Sequence, residues 1–263
     1  MKLLPFLMIA PFLVQAIGAL SHSGAPREAA SPTPVIVELF TSEGCSSCPP
    51  ADARLRELAQ RQPIDGAEVI PLAFHVDYWD HLGWKDPFAS KAFTDRQRAY
   101  ATALGEGSLY TPQMVVNGRE AFLGSDRAKA KRAIEAAEAA RQPAARVEVT
   151  LTKRDAQPAP LVARIAVPTE GVHGNLMLAI TEDGLETAVP RGENAGRKLR
   201  HDAVVRTLQK VAAVTDQREP RFETDVSLEL DERWDRRHLR AVVFIQDSDT
   251  RRITAAGAAR IGD

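Results

Sequence analysis

The first half of the chain alternates short apolar runs with amphipathic stretches. Val35 to Phe40 (VIVELF) is a mostly apolar, β-branched run that predicts a buried strand. Thr41 to Gly44 turns out of it, and Cys45-Ser46-Ser47-Cys48-Pro49-Pro50 follows. A helical pattern begins there: Ala51, Leu55, Leu58 and Ala59 share a face, and Asp52, Arg54, Arg56 and Glu57 fill the wet side. The prolines suit a first helical turn, where a missing N–H costs nothing. A second strand is expected over Val69 to Val76, then a loop rich in aromatics and charge from Asp77 to Pro87. Phe93, Gln97, Tyr100 and Leu104 predict a helix from about Phe88 onward. Tyr110-Thr111-Pro112 introduces a third strand, Gln113 to Val116. Asn117-Gly118 is a strong hairpin signal, which makes Glu120 to Leu123 the antiparallel partner. Ser125 is the expected cap of a last helix with apolar face Ala130, Ala133, Ile134 and Ala137. The order β-α-β-α-β-β-α predicts parallel crossovers followed by a hairpin and a closing helix.

The pattern changes after Gln142-Pro143. Arg146 to Thr152, Leu161 to Val167, Asn175 to Thr181, Phe222 to Leu230 and Leu239 to Gln246 alternate or run apolar in strand-sized pieces, most of them separated by Gly, Pro and Asp turns. The one helix-like stretch is Val204 to Val214. Residues 144–263 therefore read as a β-rich, sandwich-like C-terminal domain. No period of about 20–50 residues repeats, which excludes a solenoid.

Residues 1–20 have the layout of a secretory signal: Lys2, an apolar run from Leu3 to Val14, then small residues, with cleavage expected after Ala16 or Ala19. Residues 21–33 read as a linker. The apolar run is shorter than the roughly 20 residues of a spanning helix, and Pro5 and Pro11 interrupt it. A periplasmic or secreted protein, with no membrane insertion after signal cleavage, is the expectation. A composition of 44% hydrophobic and 26% charged residues is that of a folded protein. The formal charge of −1 gives no reason to expect nucleic acid as partner.

Export changes how the two cysteines read, because close thiols outside the cytoplasm tend to oxidise unless something reduces them. Their place after a buried strand and at the start of a helix is chemically specific. The partial positive charge of a helix N-terminus favours an anion there. Cys45, taken as the more exposed of the two, is expected to have an acidity in the range of about 3.5–7.5 rather than near 8.5. Cys48, inside the first turn, is placed to resolve a mixed disulfide formed at Cys45.

The run Gly44-Cys45-Ser46-Ser47-Cys48-Pro49 after VIVELF, with Thr111-Pro112 before a later strand and Asn117-Gly118 after it, resembles the thioredoxin superfamily over Pro34 to Arg141. The leader, ELFTSEGCSSCPPAD, the HVDYWD segment and the β-rich second half together resemble a family of bacterial secreted thioredoxin-like proteins of unassigned function. The resemblance implies an α/β thioredoxin-like domain over 34–142, a central mixed sheet flanked by helices, ahead of the β-rich domain. It implies that Pro112 is a cis-proline facing the cysteine pair and that Thr111 offers its backbone to a substrate peptide. Many thioredoxins carry Trp where this chain has Gly44, and Gly-Pro where it has Ser46-Ser47. Two hydroxyls donating to a Cys45 thiolate would stabilise the reduced form and make the pair more oxidising.

The expected activity is extracytoplasmic thiol–disulfide exchange by Cys45 and Cys48. It needs no cofactor beyond that disulfide, and its partners are a protein substrate and a redox partner protein. Glu38, mid-strand among apolar residues, is a candidate relay for the Cys48 proton. Two alternatives stand beside this reading. A metal or copper chaperone would use Cys45, Cys48 and His75 or His81. A non-enzymatic binding module would keep the disulfide as a structural bond. Tyr78, Trp79, Trp84 and Phe88 either wall a peptide groove or pack inside a long loop. Arg191 to Arg206, with His201 inside it, reads as a solvated basic run, with a partner surface as the alternative.

Overall fold

The first strand, β1 (Thr33–Thr41), has all nine residues buried, as a central strand with both faces covered must. The computed structural model describes residues 31–141, 145–153, 161–215 and 219–262; the expected signal at 1–20 and most of the linker lie outside them. After β1 come α1 (Pro49–Arg61), β2 (Ala67–His75), α2 (Lys91–Leu104), β3 (Gln113–Val116), β4 (Glu120–Leu123) and α3 (Arg127–Ala139). The second half is built from strands: β5 (Ala145–Arg146), β6 (Glu148–Lys153), β7 (Leu161–Pro168), β8 (Gly174–Glu182), β9 (Leu185–Ala188), β10 (Lys198–His201), β11 (Val204–Val214), β12 (Arg221–Ser227), β13 (Leu239–Gln246) and β14 (Ile253–Arg260). The protein is thus mixed α/β, with a large mixed sheet and few helices.

The sheet order is β4-β3-β1-β2-β11-β8-β13-β14-β5. β1 pairs parallel with β2 and antiparallel with β3, which turns into β4 through Asn117 and Gly118, both at positive φ as a tight hairpin requires. Strand β11 joins the two halves by pairing with β2 at Val204↔Ala73 and then running antiparallel to β8. The division expected near residue 143 therefore falls inside one sheet and one compact unit, Pro32–Asp263. β12-β7-β6 forms a separate three-stranded sheet. Its Ala163, Ile165 and Val167 share a buried cluster with Leu176, Leu178, Val243 and Ile245 of the large sheet, so the second half is layered sheet on sheet at that point.

Two sequence expectations are corrected. Val204 to Val214 is not helical; it is a strand paired with β8 along its length, with register shifts between Val205 and Thr207 and between Lys210 and Ala212. Each bulge adds a residue and breaks the two-residue alternation. Apolar positions at 204, 205, 208, 211 and 212 then imitate helical spacing. The last helix is capped one residue later than expected, by the Asp126 carboxylate accepting from the N–H of Lys129 (2.9 Å).

Alternation along β1 sorts its side chains. Val35, Val37 and Leu39 join Leu55 and Leu58 of α1 and Ile134 of α3 in one cluster. Ile36 and Phe40 join Phe93 and Tyr100 of α2, with Phe244 of β13, in another. Glu38 has even parity and lies on the α2 side, away from α1 and the cysteines. There Arg96 Nε meets its Oε2 at 2.7 Å and the Tyr100 hydroxyl donates to its Oε1. Gln246 closes the network, accepting from Arg96 Nη1 (2.9 Å) and donating to the Tyr100 oxygen (2.8 Å). The Arg96 guanidinium lies 5.2 Å from the ring centres of Phe74 and Tyr100 and 5.5 Å from that of Phe244. Burial works against the Arg96 charge, but Glu38 outweighs it and holds the guanidinium more firmly protonated than usual. Strand parity sets Glu38 on the face opposite α1, where it ties β1 to α2 and β13; the expected proton relay is a matter for exchange rates. Glu38→Gln should therefore lower unfolding free energy by about 3 kcal/mol, the low end for breaking a buried ion pair, while disulfide reduction in the folded variant keeps its rate. An unchanged urea midpoint would contradict the structural assignment, and slowed exchange would restore the catalytic one.

Candidate functional site

Beyond the end of β1, Ser42 and Glu43 stay buried and the chain turns back through a bond from Cys45 N to Ser42 O (3.2 Å). Cys45 and Cys48 are joined in a disulfide with Cα atoms 5.4 Å apart. Cys48 is the N-cap of α1, and its carbonyl accepts from Ala51 N (2.8 Å) and Asp52 N (3.1 Å). Pro49 and Pro50 occupy the first helical positions and donate nothing. The Cys45 sulfur lies 3.3 Å from the Ser47 hydroxyl. Cys45 was expected to be the more exposed cysteine; both are at 0% exposure, while Ser46 and Ser47 face solvent. A loop from the second half is hydrogen-bonded to the same segment.

The Thr111–Pro112 peptide bond is cis. Pro112 lies beside the first turn of α1: a Cβ placed on Gly124 would stand 3.1 Å from Ala51 Cβ and 3.3 Å from Pro112 Cβ. Trp79 bridges the two loops. Its Nε1 donates to the Thr111 hydroxyl (2.8 Å), and its own Cβ would sit 3.0 Å from a Cβ at position 44. Gly44 is thus the residue that lets Trp79 lie against the cysteine loop.

Beneath that loop lies a buried cluster of titratable groups. Glu43 receives hydrogen bonds from Trp84 Nε1 (2.7 Å) and pairs with His201 Nε2 (3.1 Å). Its backbone N–H donates to the Asp86 carboxylate (2.8 Å), which also pairs with His75 Nδ1 (2.7 Å). The two imidazoles stand edge to face with ring centres 4.9 Å apart, and Phe88 packs against both. Asp52, one helical turn beyond Cys48, accepts from the Thr41 hydroxyl (2.8 Å). Burial makes the Asp52 carboxyl a weaker acid, raising its pKa above the usual carboxylate value, with His201 and His75 partly offsetting it. Burial also works against a charged His75, but Asp86 outweighs it and raises His75; in return His75 holds Asp86 below the usual carboxylate range despite its burial.

The covering loop joins β9 to β10. Asn194, fully buried, donates from Nδ2 to the carbonyls of Glu43 (2.8 Å) and Cys45 (3.0 Å), and Glu193 accepts from Ser46 N (3.0 Å). The expectation of a solvated basic run over Arg191 to Arg206 is corrected here. Lys198 to His201 is a strand whose alternate residues, Leu199 and His201, turn inward. That alternation was legible in the sequence; nothing there singled out Glu43, Asp52, Asp86, Glu193 or Asn194 as neighbours of the disulfide.

A family model described as a protein of unknown function, DUF1223, matches residues 36–246. The chain belongs to the DUF1223 family. Among solved structures, this DUF1223 protein is similar to protein AGR_C_4864 from Agrobacterium tumefaciens, at 27% identity and a TM-score of 0.71 over 89% of this chain and 96% of that one. It also shares its fold with HBP35 of Porphyromonas gingivalis, at 16% identity and a TM-score of 0.62 over 88% and 76% of the two chains. No curated protein matches it.

The remaining candidates separate. In this DUF1223 chain His75 is committed to Asp86, and His81 lies exposed with Nδ1 on the Tyr78 carbonyl (2.8 Å). Among the described residues no three His, Cys, Asp or Glu side chains are disposed to hold a metal ion, so Cys45, Cys48, His75 and His81 do not form a ready site. Tyr78 and Trp79 pack partly buried against the α2-side core, and Trp84 points its indole into the cluster. Phe88 instead lines a cavity of about 450 Å³ with Arg206 and Trp234, on the far side of the histidines. No helix among the described residues is long and apolar enough to cross a membrane.

The His75–Asp86 pair sets a pH dependence. Asp86, depressed, contributes stability that is present above the ordinary carboxylate value of about 3.9 and lost as pH falls below it. His75, raised, contributes stability that is complete below about 6.5 and lost as pH rises through its folded value. Unfolding free energy should therefore decline above about pH 6.5. Thermal melts from pH 5 to 9 test this: the decline should flatten in His75→Gln, and an equal slope in both proteins would refute the pairing.

Proposed function

We propose that this protein is an extracytoplasmic thiol–disulfide oxidoreductase with a thioredoxin-like redox site. The observation that carries the reading is the Cys45–Cys48 disulfide closed at the N-terminal end of α1, directly after the central strand β1. Peptide dipoles of α1 place roughly half a positive charge at that end, and the Ser47 hydroxyl stands 3.3 Å from the Cys45 sulfur. Both favour an anionic Cys45 as attacking or leaving group. In the oxidising direction a substrate thiolate attacks Cys45 Sγ, the S–S bond breaks and Cys48 leaves as thiolate, taking a proton. The substrate's second thiolate then attacks the mixed disulfide, and the substrate departs oxidised while two electrons remain on Cys45 and Cys48. Run backwards, the same steps reduce a substrate disulfide. Pro112 and Thr111, beside the first turn of α1, are the residues we assign to shaping the peptide path. The signal-like leader supports a periplasmic or secreted setting, where a partner protein would reset the pair and the disulfide itself is the redox group.

The complete burial of both cysteines favours a second reading, a binding module with a structural disulfide. Its potential would lie below about −300 mV. The two readings part on one experiment. Cys48→Ala, expressed in an exporting host, should hold substrate proteins covalently on Cys45, and Cys45 in the reduced protein should titrate within about 3.5–7.5. An empty trap together with an unshifted thiol would leave the structural reading.

A further inference from the structure

We propose that the Val189–Arg197 loop is a redox-responsive cap, latched over the oxidised pair by Asn194 and Glu193 and released when reduction puts a negative charge on Cys45. The inference rests on the reading above, that Cys45 carries a thiolate.

The loop has a fixed stem and a lightly held tip. β9 and β10 pair from Ala188↔Lys198 to Leu185↔His201, and His201 is anchored on Glu43. Arg56 of α1 holds the base through Asp202 (2.7 Å) and the Arg200 carbonyl (3.3 Å). The tip keeps its own shape through Val189 N to Arg197 O (2.9 Å), Gly196 N to Val189 O (2.8 Å) and Arg197 Nη1 to Asn194 Oδ1 (2.8 Å). It meets the cysteine loop through the two Asn194 bonds and through Glu193 on Ser46.

Charge makes the latch sensitive to redox state. Around the start of α1 the N–H of Cys48 is committed to Cys45 O, and those of Ala51 and Asp52 to Cys48 O. The Ser46 N–H, one residue from Cys45, is occupied by the Glu193 carboxylate. Hydrogen bonds from the Ser46 hydroxyl and N–H hold that carboxylate below its usual range, so it is ionised at neutral pH. In the oxidised protein Glu193 is the anion at this helix end, and the sulfurs are neutral. A dithiol such as dithiothreitol changes that. Its first thiolate attacks Cys45 Sγ and Cys48 leaves; its second closes the dithiothreitol ring, so that two electrons pass to the pair. Cys45 is left as thiolate and Cys48 as thiol. Two like charges then share one helix end, and the one on the exposed, hinged segment is the one free to leave. Because neither sulfur is exposed while the tip is down, lifting it also governs which thiols reach the pair.

Trypsin reads the tip directly, since Arg191 and Arg197 are exposed on it. Nicking of an opened segment follows the population of the open form. Cleavage at these arginines should rise about tenfold when the full chain is reduced, the scale of repulsion between like charges at a partly exposed site. In Glu193→Gln, which keeps an acceptor but removes the charge, oxidised and reduced rates should agree within about twofold, and Cys45 should titrate lower than in the parent. Asn194→Ala should be nicked quickly in both states. Equal rates for the oxidised and reduced parent, with a Cys45 thiolate demonstrated by ultraviolet titration, would overturn the cap and leave the redox site standing. A rise of equal size in Glu193→Gln would also overturn it, because loss of the disulfide alone would then explain the opening. Absence of any thiolate would overturn both.

Discussion

Glu43 carries a carboxylate to a place where no part of it meets water, and the arrangement around the disulfide depends on how that charge is neutralised. Moving a carboxylate into a protein interior costs several kcal/mol unless partners of good geometry replace the lost hydration. Here the partners come from separate stretches of chain: Trp84 from the loop after β2, His201 from β10, and Asn194 on the adjoining carbonyl. The Glu43 N–H reaches Asp86, which is itself held by His75 at the end of β2. No local segment could hold the cysteine loop in this form by itself. The loop takes its position only when β10 of the second half is in place, so a division near residue 143 would separate residues that the site holds together.

The same central strand serves three environments in succession. Its odd residues meet the apolar faces of α1 and α3; its even residues meet α2, with the Glu38–Arg96 pair embedded among aromatic rings. At its C-terminal end Thr41 hands a hydrogen bond to Asp52 and the chain enters the Glu43 cluster. Two buried ionic systems thus follow each other along the chain, Glu38 within the strand bracing layers and Glu43 in the turn beyond it, beneath the disulfide. Asp52, one turn past Cys48 and with its pKa raised by burial, is a carboxyl on the cysteine side of the sheet.

Much of the first half was legible because its signals are local. VIVELF, the Asn117-Gly118 turn and the amphipathic faces of α1 and α2 each carry their meaning within a few residues, and the strands β3 and β4 have the bounds expected of them. Where the sequence misled, a non-local cause can be named. Two bulges gave Val204 to Val214 a helical rhythm although it is the strand that stitches the sheet together. β14 is rich in alanine, a poor strand former by propensity, and is a strand because β13 pairs with it along its length. Cys45 reads as the more exposed sulfur because Asn194, which bonds its carbonyl, lies about 150 positions away, in a stretch whose charges suggest solvent. The face that Glu38 takes has a simpler reason: one residue of spacing reverses the face of a strand.

The two serines between the cysteines do different work, and the proline pair behind them explains why. A helix that opens on Pro49 and Pro50 has lost two of the N–H donors that such a terminus ordinarily offers an anion. Ala51 and Asp52 have spent theirs on the Cys48 carbonyl. The aligned dipole of α1 and the Ser47 hydroxyl stay available to a Cys45 anion, so Ser47 bears on the sulfur directly. Ser46 points the other way and gives its N–H to Glu193. In the proposed redox reading one serine would stabilise charge on the sulfur, and its neighbour holds in place the charge that opposes it. The acidity of a reduced Cys45 would then follow from the balance of the two, within surroundings that α1 alone would not make.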